Sequence, residues 1–169
     1  MGLAWEKQLS VGNAVIDSDH KNLIGMVNGV ERAIREKNCT AISQAFRSLE
    51  DWLCVHFENE EKIAQAANFD FSKHKPAQQY SLKELQHLRD ELAAKKGIWC
   101  ESAIEHYSHF LRDWMIEHIT KLDMPMKPML QTLDYKFWPG WREGETNHAA
   151  GCTASLYLRL SDTPTPCTA

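Results

Sequence analysis

Apolar residues recur every three or four positions in four segments of the chain, a spacing that predicts four amphipathic helices. Helix one is expected to start at an N-cap of Asp17 or Ser18 and to run to about Lys37, because polar capping side chains favour helix starts. The other predicted helices begin at Thr40, at His74 and at about Glu101, and end at the NFDFS break, at Gly97 and at about Leu122. Short breaks separate them, so the sequence predicts an all-α, antiparallel up-down-up-down four-helix bundle preceded by an N-terminal arm.

Polar residues interrupt each stripe where an apolar residue is expected. His20 lies in the first turn of helix one and His74 at the start of helix three, whereas His56, Glu60 and His118 lie in the last turns of helices two and four. In an up-down-up-down bundle these turns meet at one end of the molecule. Burying an isolated imidazole or carboxylate costs several kcal/mol unless the group is paired or bound to a metal. The pattern therefore predicts a metal site at that end.

The types of residue at this end narrow the choice of metal. His56 and Glu60 are four residues apart and share a helix face, so both can reach one centre. Imidazole and carboxylate ligands without a thiolate favour iron or manganese over structural zinc, and one carboxylate from each of two helices can bridge two metals. Asp123 is the candidate for the second carboxylate, but its five-residue spacing from His118 requires the helix to loosen before MPMKP. Three polar neighbours are expected to be solvated instead: Glu58, Asn59 and Glu61.

Composition and charge restrict the partners. A net charge of −4 and a pI near 6.1 give no reason to expect nucleic acid or an anionic membrane as partner. No apolar run approaches the ~18 residues that a membrane span needs. Five cysteines without CxxC spacing favour a cytoplasmic location over a disulfide framework or a thiolate zinc site.

Residues 1–138 are predicted to form the bundle, and residues 139–169, rich in Thr, Gly, Ala and Pro, are predicted to form a flexible tail.

Four pieces of the sequence, in order and spacing, resemble the bacterial hemerythrins: WEKQLSVGNAVIDSDHKNL, HFENEE, the histidine after FDFSK, and WMIEHITKLD. The resemblance covers about residues 3–125 and implies two non-haem irons, bridged by oxygen and two carboxylates, with dioxygen bound at one iron. It implies that His20 and His56 serve the dioxygen-binding iron, His74 and His118 the other, and Glu60 and Asp123 both. It also implies an apolar gas pocket walled by Trp114, Met115, Ile119 and Leu23.

Gln78 departs from the family pattern, which has a second histidine four residues after the first on this helix. Its amide could ligate weakly, hydrogen-bond a metal-bound water, or leave a coordination position open. Pro76 could make the first turn irregular, because a proline biases the preceding residue away from α geometry. His87, His106, His109 and His148 lie off the stripes or in the tail and are expected at the surface.

Two classes of function remain open at this point. The first is a binding protein that carries, stores or senses dioxygen, and the second is an enzyme-like di-iron protein that turns over peroxide, dioxygen or nitric oxide. No acid, base or substrate pocket is visible beyond the metal site, which favours binding. An oxygen-using or signalling protein partner is left open.

Overall fold

The computed structural model describes residues 2–139 of the chain. The predicted tail, apart from Pro139, and His148 lie outside the described residues, and the boundary at residue 138 stays a prediction. The helices are α1 (Ala14–Arg35), α2 (Cys39–Ala66), α3 (His74–Lys95), α4 (Glu101–Glu117) and a short α5 (Lys127–Leu130). Residues 2–139 contain no strand. The all-α, antiparallel four-helix bundle is confirmed.

The first two helices begin earlier than predicted, because asparagines cap them. Asn13 accepts hydrogen bonds from the backbone N–H groups of Val15 and Ile16, so α1 starts at Ala14. Asn38 caps α2 in place of Thr40. Asp17 is inside α1, where its carboxylate accepts hydrogen bonds from the Val11 N–H at 2.9 Å and from the Ser10 hydroxyl. The residue predicted as a cap therefore holds the N-terminal arm against α1.

The third helix begins at His74 and is α-helical from that residue onward, with Pro76 in its first turn. A proline is tolerated there because the N–H groups of a first turn have no partner within the helix. Lys96 and Gly97 then take positive φ angles of 49° and 80° and end the helix where the sequence predicted. The first turn is not disturbed, so His74 and Gln78 are one helical turn apart.

The end of the fourth helix widens as the spacing of His118 and Asp123 required. After Glu117 the chain continues as a π-helix over His118–Asp123, followed by a 3-10 turn at Met124–Met126 and then α5. A π-helix turns through one more residue per hydrogen bond than an α-helix does. Residues five apart can thus face the same side, and the predicted loosening is present.

Buried apolar residues form two clusters. The larger contains Leu23, Leu53 and Met115 among many others, and the smaller contains Ile16, Ile63 and Met126. On α1, on α2 and on the α4–π segment, the polar residues predicted to bind metal fall in sequence between members of the two clusters. A buried polar layer thus separates a large core from a small one at one end of the bundle.

The N-terminal arm is fastened at both of its ends. The side-chain amide of Asn28 on α1 exchanges two hydrogen bonds of 2.8 Å with the backbone of Leu3. The Asn13 side chain donates to the carbonyl of Phe137 at 2.9 Å, which joins the arm to the end of the described chain.

None of the helices in residues 2–139 combines the length and the apolar character needed to cross a membrane. Cys39 and Cys100 are exposed and carry free thiols.

Candidate metal centre

Four imidazoles and two carboxylates meet inside the bundle, in the layer between the two cores. All six side chains are buried: His20, His56, Glu60, His74, His118 and Asp123. The starts of α1 and α3 supply two of them, and the ends of α2 and of the α4–π segment supply the rest. The structure therefore brings together all six residues that the sequence put forward as ligands.

The two carboxylates lie between the histidines. Asp123 has one oxygen 2.9 Å from the Nε2 of His20 and 3.3 Å from that of His118, and its other oxygen is 3.3 Å from the Nε2 of His74. Glu60 Oε2 is 3.5 Å from the Nε2 of His56 and 3.4 Å from that of His74. Each carboxylate thus touches histidines from different helices, the arrangement that a bridging ligand requires.

The potential ligand atoms form two overlapping groups. One contains His20, His56, His118 and Asp123, and the other contains Glu60, His74 and Asp123, with the atoms of each group within 4.8 Å of one another. Asp123 belongs to both. The distances place His118 beside His20 and His56, whereas the family resemblance assigns it to the same iron as His74. The division of the histidines between two irons stays a prediction.

Several buried polar atoms in the layer have no hydrogen-bond partner. They are the Nδ1 atoms of His20, His56 and His118 and one oxygen each of Glu60 and Asp123. The Nε2 atoms of His56 and His118 face each other at 3.2 Å. Buried polar groups are normally satisfied, so the two carboxylate oxygens without a partner, which lie among inward-facing Nε2 atoms, indicate a ligand that belongs there. Four inward imidazole nitrogens and two carboxylates, with no thiolate, fit a pair of irons.

Protonation differs between the histidines. Burial opposes the charged form of His56, but the carboxylates of Glu60, Asp19 and Asp123 raise its pKa to about 9. Burial likewise opposes the charged form of His74, and Asp123 and Glu60 raise its pKa to about 9. Burial lowers the pKa of His118 to about 3, so this ring is neutral at pH 7 and keeps a lone pair for a metal. A metal cation would replace the protons that the carboxylates otherwise attract.

Gln78 points into the layer from α3 and is almost fully buried. Its side-chain nitrogen donates a hydrogen bond of 2.8 Å to Glu60 Oε2. Because a carboxylate can only accept, the group that Gln78 presents to Glu60 is its NH₂ and not its oxygen. Gln78 is thus placed beside a candidate bridging ligand.

The side chains predicted to wall a gas pocket are buried in the larger core. Leu23, Met115 and Ile119 have no exposed surface, and Trp114 is 6 % exposed. The Trp114 ring stacks on the His118 imidazole with centroids 5.7 Å apart, and its Nε1 donates to the carbonyl of Ser81 on α3. A groove of about 590 Å³ between α3 and α4 reaches Trp114 and His118 from outside.

Sequence reasoning missed the polar pair behind His56. Asn59, expected to be solvated, is half-buried, and its side-chain nitrogen donates to Asp19 Oδ2 at 2.9 Å. The same Asp19 oxygen lies 3.7 Å from His56 Nδ1. Spacing places Asn59 beside His56 on one helix face, three residues apart, but it does not show that Asp19 of α1 is the partner of Asn59.

One aromatic contact was also missed. Phe71 stacks on His74 with ring centroids 4.5 Å apart and 26° between the ring planes.

The histidines predicted at the surface and described by the structure are exposed: His87, His106 and His109.

The family described as Hemerythrin HHE cation binding domain matches residues 11–130. A bacteriohemerythrin of Pseudomonas aeruginosa is 28 % identical over 122 residues, which are 72 % of this chain and 76 % of that protein. A bacteriohemerythrin of Methylococcus capsulatus is 27 % identical over 68 % of this chain and 85 % of its own. A hemerythrin-like protein of Naegleria gruberi is 26 % identical over 75 % of this chain and 92 % of its own.

A crystal structure of a hemerythrin point mutant superposes with a TM-score of 0.64. The superposition covers 76 % of this chain and 97 % of that one at 24 % identity. This likeness supports the bundle fold.

Proposed function

The chain belongs to the hemerythrin family of cation-binding domains, which carries two non-haem irons, and from this we propose that it binds dioxygen reversibly at those irons. The observation that carries the proposal is the buried layer of four imidazoles and two carboxylates, with its Nε2 atoms turned inward. We assign His20, His56, His74 and His118 as terminal ligands and Glu60 and Asp123 as bridging ligands.

The residues present fit the cofactor. Glu60 and Asp123 each approach histidines on different helices, and each has one oxygen without a hydrogen-bond partner. Two bridging carboxylates bring two negative charges to the cations, and neutral imidazoles complete the donor set. When bound, the pair of irons supplies the electrons that dioxygen takes up and returns.

The apolar residues around the polar layer limit which molecules reach the metal centre. Leu23, Met115 and Ile119 exclude water from the larger-core side, because their side chains are fully buried and offer it no hydrogen bond. Trp114 lies flat against His118 and fixes the plane of that ring. A dry pocket walled by these side chains would admit a small apolar gas and disfavour the hydrolytic loss of a bound ligand.

A second candidate function follows from Gln78. An amide held against Glu60 through its nitrogen leaves the neighbouring iron with one fewer imidazole than the family pattern supplies. The groove that reaches Trp114 and His118 would give a small solute such as peroxide a route to the centre. We rank this enzyme-like turnover of peroxide, dioxygen or nitric oxide second, because the candidate metal-binding groups among residues 2–139 contain no acid or base beyond the six proposed ligands.

Dioxygen is thus the proposed small-molecule partner, and carriage, storage and sensing would each use the same centre. We further propose a cytoplasmic location, in which exposed thiols such as those of Cys39 and Cys100 stay reduced.

The test is metal analysis combined with optical spectroscopy of the purified protein. We expect two irons per chain and, after anaerobic reduction, a visible absorption band that appears with dioxygen and disappears when the gas is removed. Irreversible bleaching on the first exposure to dioxygen, with rapid consumption of added peroxide, would favour the enzyme-like alternative. Absence of iron would overturn both.

A further inference from the structure

His56 has an outer nitrogen that faces away from the centre. A histidine that binds a metal through Nε2 carries its proton on Nδ1, and the acceptor of that proton fixes the orientation and the donor strength of the ring. In His56 this Nδ1 is fully buried and has no hydrogen-bond partner within range, while Asp19 Oδ2 lies 3.7 Å away.

Asp19 is held in this place from two helices. Its backbone belongs to α1, and its carboxylate is tied to α2 by the hydrogen bond from Asn59. The residue is 7 % exposed, so water screens its charge little. A carboxylate that is buried, tethered on one oxygen and within 4 Å of a buried N–H can close to hydrogen-bond distance by a small rotation.

The other two rings with an unpartnered outer nitrogen lack such a neighbour. Within residues 2–139, no acidic side chain other than Asp123 comes within 4.0 Å of a ring nitrogen of His20 or of His118. Asp19 therefore distinguishes His56 from these histidines.

We propose that Asp19 is a positioning residue that accepts the Nδ1 proton of metal-bound His56, with Asn59 as its tether. The proposal rests on the assignment of His56 as an iron ligand. The carboxylate makes the imidazole a stronger donor, which stabilises the oxidised iron and slows the loss of metal. His56 is thus tuned by a charge that His20 and His118 lack.

The experiment compares Asp19→Asn with the parent protein loaded with iron. The amide oxygen can take the place of Oδ2, which accepts from Asn59 and lies nearest His56, so the variant keeps the tether but replaces a charged acceptor with a weaker, neutral one. We expect a more positive midpoint potential and roughly tenfold faster loss of iron to a chelator. The unfolding temperature of the metal-free protein should stay that of the metal-free parent.

Two further variants test whether the effect of Asp19→Asn comes from its contact with His56 or from a general loss of charge or packing. Glu58→Gln removes one negative charge beside Asn59 from a side chain that is 72 % exposed, and it should leave the potential unchanged. Asn59→Ala releases the tether and should shift the potential in the same direction as Asp19→Asn, by a smaller amount.

An unchanged potential and iron-loss rate in Asp19→Asn would overturn the proposal, with the iron content of the parent still supporting the proposed function. The same holds if the variant merely unfolds more easily without iron while its potential stays at the parental value, since that result shows a structural role. A parent without iron would instead overturn the proposed function itself.

Discussion

At the scale of single residues, the number of strong donors that face each iron depends on one side chain of α3. Gln78 lies one turn after His74 on the inward face and donates to Glu60. An amide oxygen is a poorer iron ligand than an imidazole nitrogen, and here the amide presents its nitrogen instead. We therefore expect the neighbouring coordination position to be open to water, an anion or peroxide.

Gln78→His should supply the missing imidazole. We expect tighter iron binding, slower autoxidation after reduced protein is mixed with dioxygen, and weaker azide binding by the oxidised form, since the open position is filled. Gln79→His is the matched control, because Gln79 is exposed and should change none of these measurements. If Gln78→His autoxidises as fast as the parent and binds azide equally well, the side chain at this position does not reach the iron.

The exposed histidines should have no part in metal binding. His87→Ala, His106→Ala and His109→Ala are expected to keep the iron content of the parent, because their side chains face solvent. His74→Ala should lower that content, since it removes a buried imidazole beside both carboxylates. Loss of iron from any of the three exposed variants would contradict the assignment of helix faces.

Histidines on an apolar stripe could be recognised from the sequence because their burial has a free-energy cost that something must offset. Asp19 and Asn59 could not be recognised from the sequence, since a polar residue next to a predicted ligand cannot be distinguished there from a solvated surface residue. Their role depends on a contact between α1 and α2 across 40 positions of the chain. Sequence periodicity carries no information about such a pair.

At the scale of helices, the number and order of the four long helices could be predicted, but the short α5 and the starts of the first two helices could not. Asn13, Asp17 and Ser18 are all able to cap a helix. Asn13 is the cap because Asp17 is engaged by the arm and by the Tyr135 hydroxyl at 3.2 Å, a partner 118 positions away. The π-helix was foreseeable because His118 and Asp123 had to share a face.

Helices α1 and α4 are also joined by a part-buried ion pair distant from the metal centre. Glu31 is 4 % exposed, and both Arg112 and Arg35 approach its carboxylate, with Arg112 hydrogen-bonded to it through two nitrogens. Glu31 follows His20 by eleven residues, about 16 Å along a helix. The pair therefore contributes to helix packing without contact with the ligands.

Arg112→Met should destabilise the fold by about 2 kcal/mol, because a buried carboxylate loses its closest partner. Iron content should stay the same. Chemical denaturation and metal analysis check the two halves of this prediction. Lys62→Met, which removes a 3.7 Å contact between exposed side chains, should change neither. A parental denaturation midpoint in Arg112→Met would show that Arg35 alone satisfies Glu31.

At the scale of the whole molecule, the metal centre joins the helices of the bundle. Its six proposed ligands come from α1, α2, α3 and the α4–π segment, so bound metal favours the folded state over the unfolded chain. A ligand at a thousand times its dissociation constant adds about 4 kcal/mol to the free energy of unfolding.

Removal of iron by a chelator should accordingly lower the unfolding temperature, and Glu60→Ala should lower both iron content and unfolding temperature. Glu61→Ala is the control, since Glu61 is paired at the surface with Lys75 and not with the centre. Calorimetry with metal analysis measures both. Full iron retention in Glu60→Ala would show that this carboxylate is not a ligand.

The polar layer between the two apolar clusters has a consequence for local opening of the metal-free protein. Val11, Ile16, Ile63, Met126 and Leu130 form a small core beyond the layer, and α5 with the arm closes that end. Without cations to hold the imidazoles and carboxylates together, few apolar contacts couple this cap to the main core. Amide hydrogens of α5 should then exchange with deuterium through a separate, lower-energy opening, while those in the middle of α1 and α2 exchange only when the whole bundle unfolds. Iron would merge the two openings into one.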